Sequence, residues 1–320
     1  YGVEGAIDRL IGLIVNGAEL WCFGTNSYEV WTDVGGTNLH VLSRIRDAVT
    51  LIGCANALSL QQIKGHVFWL GLSTQGSGII YMSNGLDAER ISTLAIEELI
   101  SPYIRGVNPL YDIECSSFVY SLGGHTIYCL TLLSAFDTPT LNSISLAYDL
   151  TTGQWHELSY RDPITGVQSQ HRGKYATNTG RMQLIADHSL PYLYELSTTT
   201  YTDNLAPIIR YRRSPVLLTN NRRVFFNRLI LNMEVGVGLI PTATPANTDD
   251  PLLSIRWSND NAHTFGNYHT IGLGAIGKFL QQVVFNRLGS SLRRVFEVYF
   301  DAAVPFRIIT AELGIDTGVH

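Results

Sequence analysis

Nine histidines, four cysteines and a crowd of arginines are the side chains of this sequence with most chemistry to offer. His263 and His269 are the only histidines within six positions of each other, and no HExxH or clustered His/Asp set occurs. The histidines therefore read as structural or surface groups, and no metal site is expected. Cys22, Cys54, Cys115 and Cys129 are separated by 32, 61 and 14 residues with no CxxC pair. That spacing suits buried thiols of a protein folded in a reducing cytoplasm, not a disulfide framework. No GxSxG elbow is present, so nucleophilic catalysis has no foothold. Gly272-Leu273-Gly274-Ala275-Ile276-Gly277 fits GxGxxG, and Glu297 lies 20 residues past the last glycine, where a ribose-binding acid would stand. Only 43 residues follow Gly277 and nothing upstream alternates strands with long helices, so these glycines read as a tight strand-to-strand connection. No enzyme activity and no cofactor are expected.

Arg210, Arg212, Arg213, Arg222, Arg223 and Arg228 crowd into 19 positions. They read first as solvated strand faces and partner contacts, and second as contacts to DNA phosphates. The texture of the chain changes after Tyr201, and Pro241 to Pro251 forms a Pro/Thr/Asn/Asp loop, so the expected division is residues 1–209 and a C-terminal β module, 210–320. Composition supports a rigid scaffold. The 320 residues are 45% hydrophobic, and 29 Gly and 11 Pro supply turns for many short strands. Charged residues are only 15%, which implies surfaces that are neutral polar or covered by partners, and a net charge of -5 gives no support for a strongly basic nucleic-acid binder.

The elements that must position these residues are strands. Gly65-His66-Val67-Phe68-Trp69-Leu70, Gly124-His125-Thr126-Ile127-Tyr128-Cys129-Leu130 and His188-Ser189-Leu190-Pro191-Tyr192-Leu193-Tyr194 share a phrase, with histidines 59 and 63 residues apart. A span of that size fits one four-stranded sheet, so the repeat predicts an all-β, propeller-like fold of five to seven blades. Gly17 to Phe23 is a copy without the histidine. Aromatic second phrases follow: Ser27 to Trp31, Gly78 to Met82 and Ser145 to Asp149. The third unit, with Gly123-Gly124 and Tyr148-Asp149 through Gly153-Gln154-Trp155, resembles a kelch blade. Its Asp149 and Thr152 are expected to bond the turn, and Tyr148 and Trp155 to pack across strands. Trp31, Trp69, Tyr128, Tyr148, Asp149 and Trp155 are the expected blade-forming residues, with Trp69, Tyr128 and Tyr194 at equivalent places.

Helical signal is confined to Ser92 to Ile100, where Ser92 or Thr93 caps, Glu97 and Glu98 face solvent and Pro102 stops propagation. No run of about 18 apolar residues occurs, so no membrane insertion is expected. The chain opens at Tyr1 without an initiator Met or a signal-like segment, which reads as a trimmed version of a longer chain.

Ser258-Asn259-Asp260-Asn261-Ala262-His263-Thr264-Phe265 resembles the Asp-box of sialidase propellers, a hairpin device that speaks to fold and not to activity. Phrases read in order carry a wider resemblance. Asn26 to Trp31, Gly53-Cys54-Ala55, Gly65 to Gly71, Arg90 to Glu97, Gly124 through Glu157, Ile255 to Asp260, Gly272 to Gly274, Arg287 to Gly289 and Arg294 to Val298 resemble the tail hub, or packaged-DNA stabilisation, proteins of short-tailed bacteriophages. Ser134 to Ser143 and Tyr160 to Arg181 match nothing in that pattern. The resemblance implies a structural virion protein assembled in the host cytoplasm. It forms a ring, generally a hexamer, below the portal and adaptor, extends the DNA channel without sequence specificity, retains the genome and docks a needle, spikes or fibres. It implies no catalytic residues. On this reading Arg210, Arg212, Arg213, Arg222 and Arg223 are candidate partner or DNA contacts. The competing class is a glycan-binding or glycan-cleaving, sialidase-like propeller.

Overall fold

The computed structural model describes residues 8–35, 41–72, 78–104, 113–133, 142–204, 206–218, 222–238 and 250–317, the side chains at 46–48 excepted. The Pro241 to Pro251 loop and the unplaced stretch from Ser134 lie almost wholly outside those residues, as do Tyr1 to Ile7. The protein is all-β with one α-helix and one short 3-10 helix among the described residues, and it divides into two compact units. The first holds residues up to Thr198 apart from Pro163–Thr165, and the second holds Thr199 onward with that tripeptide.

Four antiparallel sheets build the first unit among the described residues, where the sequence predicts five to seven blades. Blade one is β1 (Leu10–Asn16), β2 (Glu19–Gly24), β3 (Tyr28–Asp33) and β4 (Leu42–Thr50). Blade two is β5 (Gln61–Ile63), β6 (His66–Leu72), β7 (Gly78–Asn84) and β8 (Asp87–Arg90). After helix α1 (Leu94–Ile104), blade three has five strands: β9 (Cys115–Leu122), β10 (His125–Leu132), β11 (Ile144–Asp149), β12 (Gln154–Arg161) and β13 (Gln168–Gln170). Blade four has three: β14 (Gly173–Asn178), β15 (Gln183–Asp187) and β16 (Leu193–Leu196). The unplaced segment Tyr160 to Arg181 thus supplies the fifth strand of blade three and the first of blade four.

The turn between first and second strands is the true repeat. Gly17, Gly65, Gly124 and Gly180 all sit there with φ of +64, +81, +88 and +82, a region that costs other residues strain. Four positions after the first three come Trp21, Trp69 and Tyr128, each on the second strand of its blade. Tyr194 does not join them. It lies on β16, the third strand of blade four, because the His188 phrase spans the β15–β16 connection and carries no turn glycine.

Three apolar junctions join the blades in series. Trp21, Phe23, Tyr28 and Val30 of blade one meet Val67 and Trp69 of blade two. Phe68, Leu70 and Ile80 on the opposite face of blade two meet Tyr128, Leu130, Leu146 and Tyr148 of blade three. Phe118, Ile127, Cys129 and Ala147 of blade three then meet Ile185 of blade four. At roughly 1.5–3 kcal/mol for each large apolar side chain fully buried, these junctions dominate the unit's stability. The helix adds Ile96, Ile100 and Ile104 to the second junction at a four-residue repeat. Thr93 caps it, with Thr93 Oγ1 accepting from Ile96 N at 3.5 Å. Two expectations fail here. Pro102 lies inside the helix, and Glu97 is buried instead of facing solvent, because Arg90 and Ser92 at the end of the preceding strand bind its carboxylate.

The second unit opens with the short pair β17 (Thr202–Asp203) and β18 (Ala206–Pro207). One sheet runs in the order β19 (Arg210–Arg213), β26 (Arg293–Phe300), β22 (Leu252–Ser258) and β23 (His269–Gly272), with β20 (Leu217–Leu218) also on β26. The other is centred on β21 (Val224–Met233), which pairs β24 (Val283–Asn286), β25 (Ser290–Ser291) and β27 (Ile308–Thr317). Their inner faces share a core that includes Phe226, Leu231, Leu253, Ile255, Phe296 and Phe300.

Candidate interaction surfaces

Blade two and blade three place their histidines alike. His66 Nδ1 lies 2.8 Å from Ser83 O on β7, and His125 Nδ1 lies 2.7 Å from Asp149 Oδ2 on β11, so each second strand reaches to the end of the third. Asp149 also accepts from the turn amide Thr151 N at 2.9 Å and from Thr152 Oγ1 at 2.9 Å, so Thr152 bonds the carboxylate and not a backbone amide. Burial raises its pKa, but hydrogen bonds from His125, Thr151 and Thr152 outweigh it and hold the carboxyl below the ordinary range. Tyr148 and Trp155 face each other in register with ring centres 5.1 Å apart, and the Trp155 indole donates to Ile91 O at 2.8 Å. Trp69 and Tyr128 are fully buried, with the Tyr128 hydroxyl donating to Ser59 O. Trp31 is half-buried and belongs to the opposite face of blade one, in the row Val15, Leu20, Trp31, Arg44.

A polar cluster that the sequence does not announce lies where blade three meets blade four. Arg172 is 9% exposed, holds Asp187 Oδ2 from Nε at 2.7 Å and stacks over Tyr160 at 4.5 Å. Asp187 accepts in addition from the backbone of Ser189 and Leu190, and these bonds overcome burial to hold its carboxyl far below the ordinary range. Beside it, burial and the charge of His188 push His171 down to about 4, and Gly173 N donates to its Nδ1 at 3.0 Å, as a neutral ring requires.

The five candidate arginines of the second unit occupy three kinds of place. Arg210 is half-buried over Tyr201 and Phe300 and donates to Ala302 O at 3.2 Å. Arg213 reaches across from β19 to Glu297, Nε to Oε2 at 2.6 Å, while Arg256 takes Oε1 at 2.6 Å and Tyr268 reaches the same oxygen at 3.2 Å. Phe265 underlies both guanidinium groups at 5.0 and 4.6 Å. Glu297 is buried, which raises its pKa, yet the two arginines prevail and keep it lowered. Arg212, Arg222 and Arg223 are exposed, and Arg223 Nη1 donates to Ser290 Oγ at 3.2 Å. The clamp on Glu297 was legible only through register, which sets Arg213 and Arg256 on either side of it.

Of the two loops that mimic known motifs, the first closes the β22–β23 hairpin and the second carries the chain from β23 in one sheet to β24 in the other. In the Asp-box-like loop after β22, Ser258 Oγ accepts from Ala262 N at 2.9 Å and Asp260 Oδ1 from Thr264 N at 2.9 Å. Asn259 of that loop accepts from Arg294, a guanidinium 1% exposed whose burial lowers its pKa to about 10. In the GxGxxG stretch after β23, Gly274 and Gly277 adopt φ of +89 in a tight turn, and Gly274 N donates to Asp250.

No group of three or more metal-ligating side chains occurs among the described residues. All four cysteines are free thiols, three buried and Cys22 half-buried, and burial pushes Cys54 up to about 11 and Cys115 to about 12. No described helix is long and apolar enough to cross a membrane. Charge is divided unequally. Residues 1–198 carry 10 Lys and Arg against 18 Asp and Glu, a net -8, whereas 199–320 carry 12 against 9, a net +3.

Residues 1–201 match a family model described as bacteriophage P22 Gp10, beta-propeller, and residues 210–316 match one described as bacteriophage P22 Gp10, beta-sandwich. No curated protein matches the chain in sequence. Among solved structures, an exo-beta-1,3-galactanase from Phanerochaete chrysosporium is 12% identical at a TM-score of 0.23, over 94% of this chain and 66% of its own. Trypanosoma rangeli sialidase is 9% identical at 0.31, over 93% and 65%. A mutant of AofleA from Arthrobotrys oligospora is 13% identical at 0.29, over 100% and 92%. The chain thus spans about two thirds of the galactanase and sialidase chains, and at these TM-scores the likeness carries no argument about activity.

Proposed function

The chain belongs to the bacteriophage P22 Gp10 family, whose propeller and sandwich parts match nearly its whole length, and from that membership we propose that it is a tail-hub subunit. A tail and DNA-stabilisation protein of the phage particle acts by assembly. On this reading copies form a ring, a hexamer, below the portal and adaptor, prolong the DNA channel, retain the genome and offer docking surfaces to a needle, spikes or fibres. Assembly takes place in the host cytoplasm. The observation that carries the reading is the ordered match of both parts.

The electrostatics agree with a conduit. Each phosphate neutralised by a protein cation adds affinity and therefore drag on moving DNA. A propeller part of net -8 repels phosphate, and Arg210 and Arg213 are engaged inside the sandwich part with Ala302 and Glu297. Arg212, Arg222 and Arg223 stay outward, so on this reading they contact neighbouring virion proteins. The polar clusters described here bond carboxylates to arginines, histidines and turn amides, and the proposed role is structural, without catalysis.

Particles assembled without this chain are expected to package DNA and then lose it. Retention of full genomes in such particles, measured by encapsidated DNA per particle over time, would contradict the proposal.

A further inference from the structure

The sandwich sheet that holds Glu297 turns Ile255 and Phe296 into the core, so alternation along its strands turns a different set outward. Tyr211 and Thr270 end one outward row across the four strands, and Arg213, Glu297 and Arg256 make the next, with Tyr268 against Arg256. Tyr211 is 46% and Tyr268 43% exposed. Glu297 cancels only one of the two guanidinium charges. Each arginine spends Nε on it, and the Nη groups of both have no hydrogen-bond partner among the described residues. Asp301, the next acid along the chain, stands four residues further on and accepts from the Tyr299 hydroxyl at 3.1 Å. The face therefore keeps one unbalanced positive charge, with donors placed for a second carboxylate, among aromatic side chains. Tyrosine and arginine are the residues that concentrate at the buried centres of protein interfaces.

We propose that this face receives helix α1 of a neighbouring copy. The inference rests on the ring reading and names a contact within it. Ile96, Ile100 and Ile104 fill the buried side of α1, while Leu94, Glu98 and Pro102 follow one another at four-residue steps on its outward side. Leu94 is 70% exposed and the adjoining Leu99 43%. Glu98 has no hydrogen-bond or ion-pair partner among the described residues. Leu94 and Pro102 are about 12 Å apart along the helix, and β19 and β23 are separated by three strand spacings, about 14 Å. With Leu94 and Pro102 over the two ends of the face, Glu98 falls between the arginines. Two guanidiniums then meet two carboxylates, and the apolar side chains beside Glu98 cover the rings. Pairing either surface with itself would set like charges together, so charge selects the mixed contact. It is heterologous, engages both surfaces of every copy, and yields a closed ring when the rotation between copies divides a full turn.

The test places one cysteine on each surface, with Cys22, the one half-buried thiol, replaced by serine. Thr270→Cys chains are co-expressed during particle assembly with Leu94→Cys chains or with Pro102→Cys chains, one pair for each direction of the helix across the face. Isolated tails are oxidised and run without reductant. A covalent pair of chains from one of the two mixtures, absent when any variant is expressed alone, is the expected result. Glu98→Lys is expected to lower ring yield roughly tenfold or more, since it sets a like charge against the arginines, and to leave the denaturation midpoint of the unassembled chain unchanged. A link formed within a single unassembled chain carrying both cysteines would show that the helix covers its own sandwich, and would overturn the proposal. So would a link from Thr270→Cys to a different virion protein. Tails that contain rings of this chain but give neither mixed link, or that tolerate Glu98→Lys, would refute the contact alone. Tails without such a ring would refute the ring reading as well.

Discussion

Blades two and three differ from blades one and four in how many of their faces meet another sheet of the unit among the described residues. Strand β10 is buried at seven of its eight positions and β6 at five of seven, because each lies between two other sheets. Strands β1 and β16 alternate between half-buried and exposed positions instead, since among the described residues of this unit only one side meets another sheet. A strand covered on both sides must be apolar throughout, whereas a strand covered on one side needs apolar residues only at every second position. Among the described residues the central blades therefore take part in two apolar junctions each, and blades one and four in one.

The largest expected effect belongs to the centre. Trp69 is fully buried and lies within 6.4 Å, ring centre to ring centre, of Trp21, Phe23, Tyr28 and Tyr81. Trp69→Ala is expected to cost about 3 to 5 kcal/mol in a denaturant titration. A loss under about 1 kcal/mol would erase the contrast between central and terminal blades.

An intermediate effect comes from the one covered face of blade four. His171 protonates near its ordinary 6.5 in the unfolded chain but only at about 4 in the fold, so the unfolded state binds more protons between those values. Stability should fall as pH drops through that window, by about 1.4 kcal/mol per pH unit at its steepest. Asp149, Asp187 and Glu297 are held below the ordinary carboxyl range and begin to lose their contribution only as pH nears it, so a titration from pH ~6 to ~5 isolates the histidine. His171→Gln should flatten that slope. An unchanged slope in the variant would show that the blade-three to blade-four junction does not keep this ring neutral.

The smallest effect is expected on the outer face. Leu193→Ser should change the stability of the unassembled chain by no more than about 0.5 kcal/mol, as surface positions generally do. A loss above about 2 kcal/mol would mean that Leu193 is already covered within its own chain.

The same contrast decides what could be read from residues alone. The doubly covered strands announced themselves: Val67 to Leu70 and Ile127 to Leu130 are continuous apolar runs behind a glycine turn, and the kelch-like turn at Asp149 has the bonds its residue types allow. Blade four did not. Its strands Gly173–Asn178 and Leu193–Leu196 are short and only half apolar, so residue pattern does not place the Tyr160 to Arg181 segment, and the His188 phrase matches the others in composition but lacks their turn glycine. Glu97 departs from its expected exposure for a related reason, because helical periodicity gives the side of the helix but not the Arg90 guanidinium that binds the carboxylate there. Among the candidate arginines, spacing grouped five that strand alternation and tertiary partners separate, and only register reveals that Arg213 belongs to Glu297.

The central claim, that this chain is a ring-forming component of a phage tail, is tested most directly by imaging particles in which its C-terminus carries a small electron-dense label. The account predicts a closed ring of label coaxial with the portal vertex, at the height of the DNA channel. Label absent from the particle, or scattered on the capsid away from that axis, would contradict it.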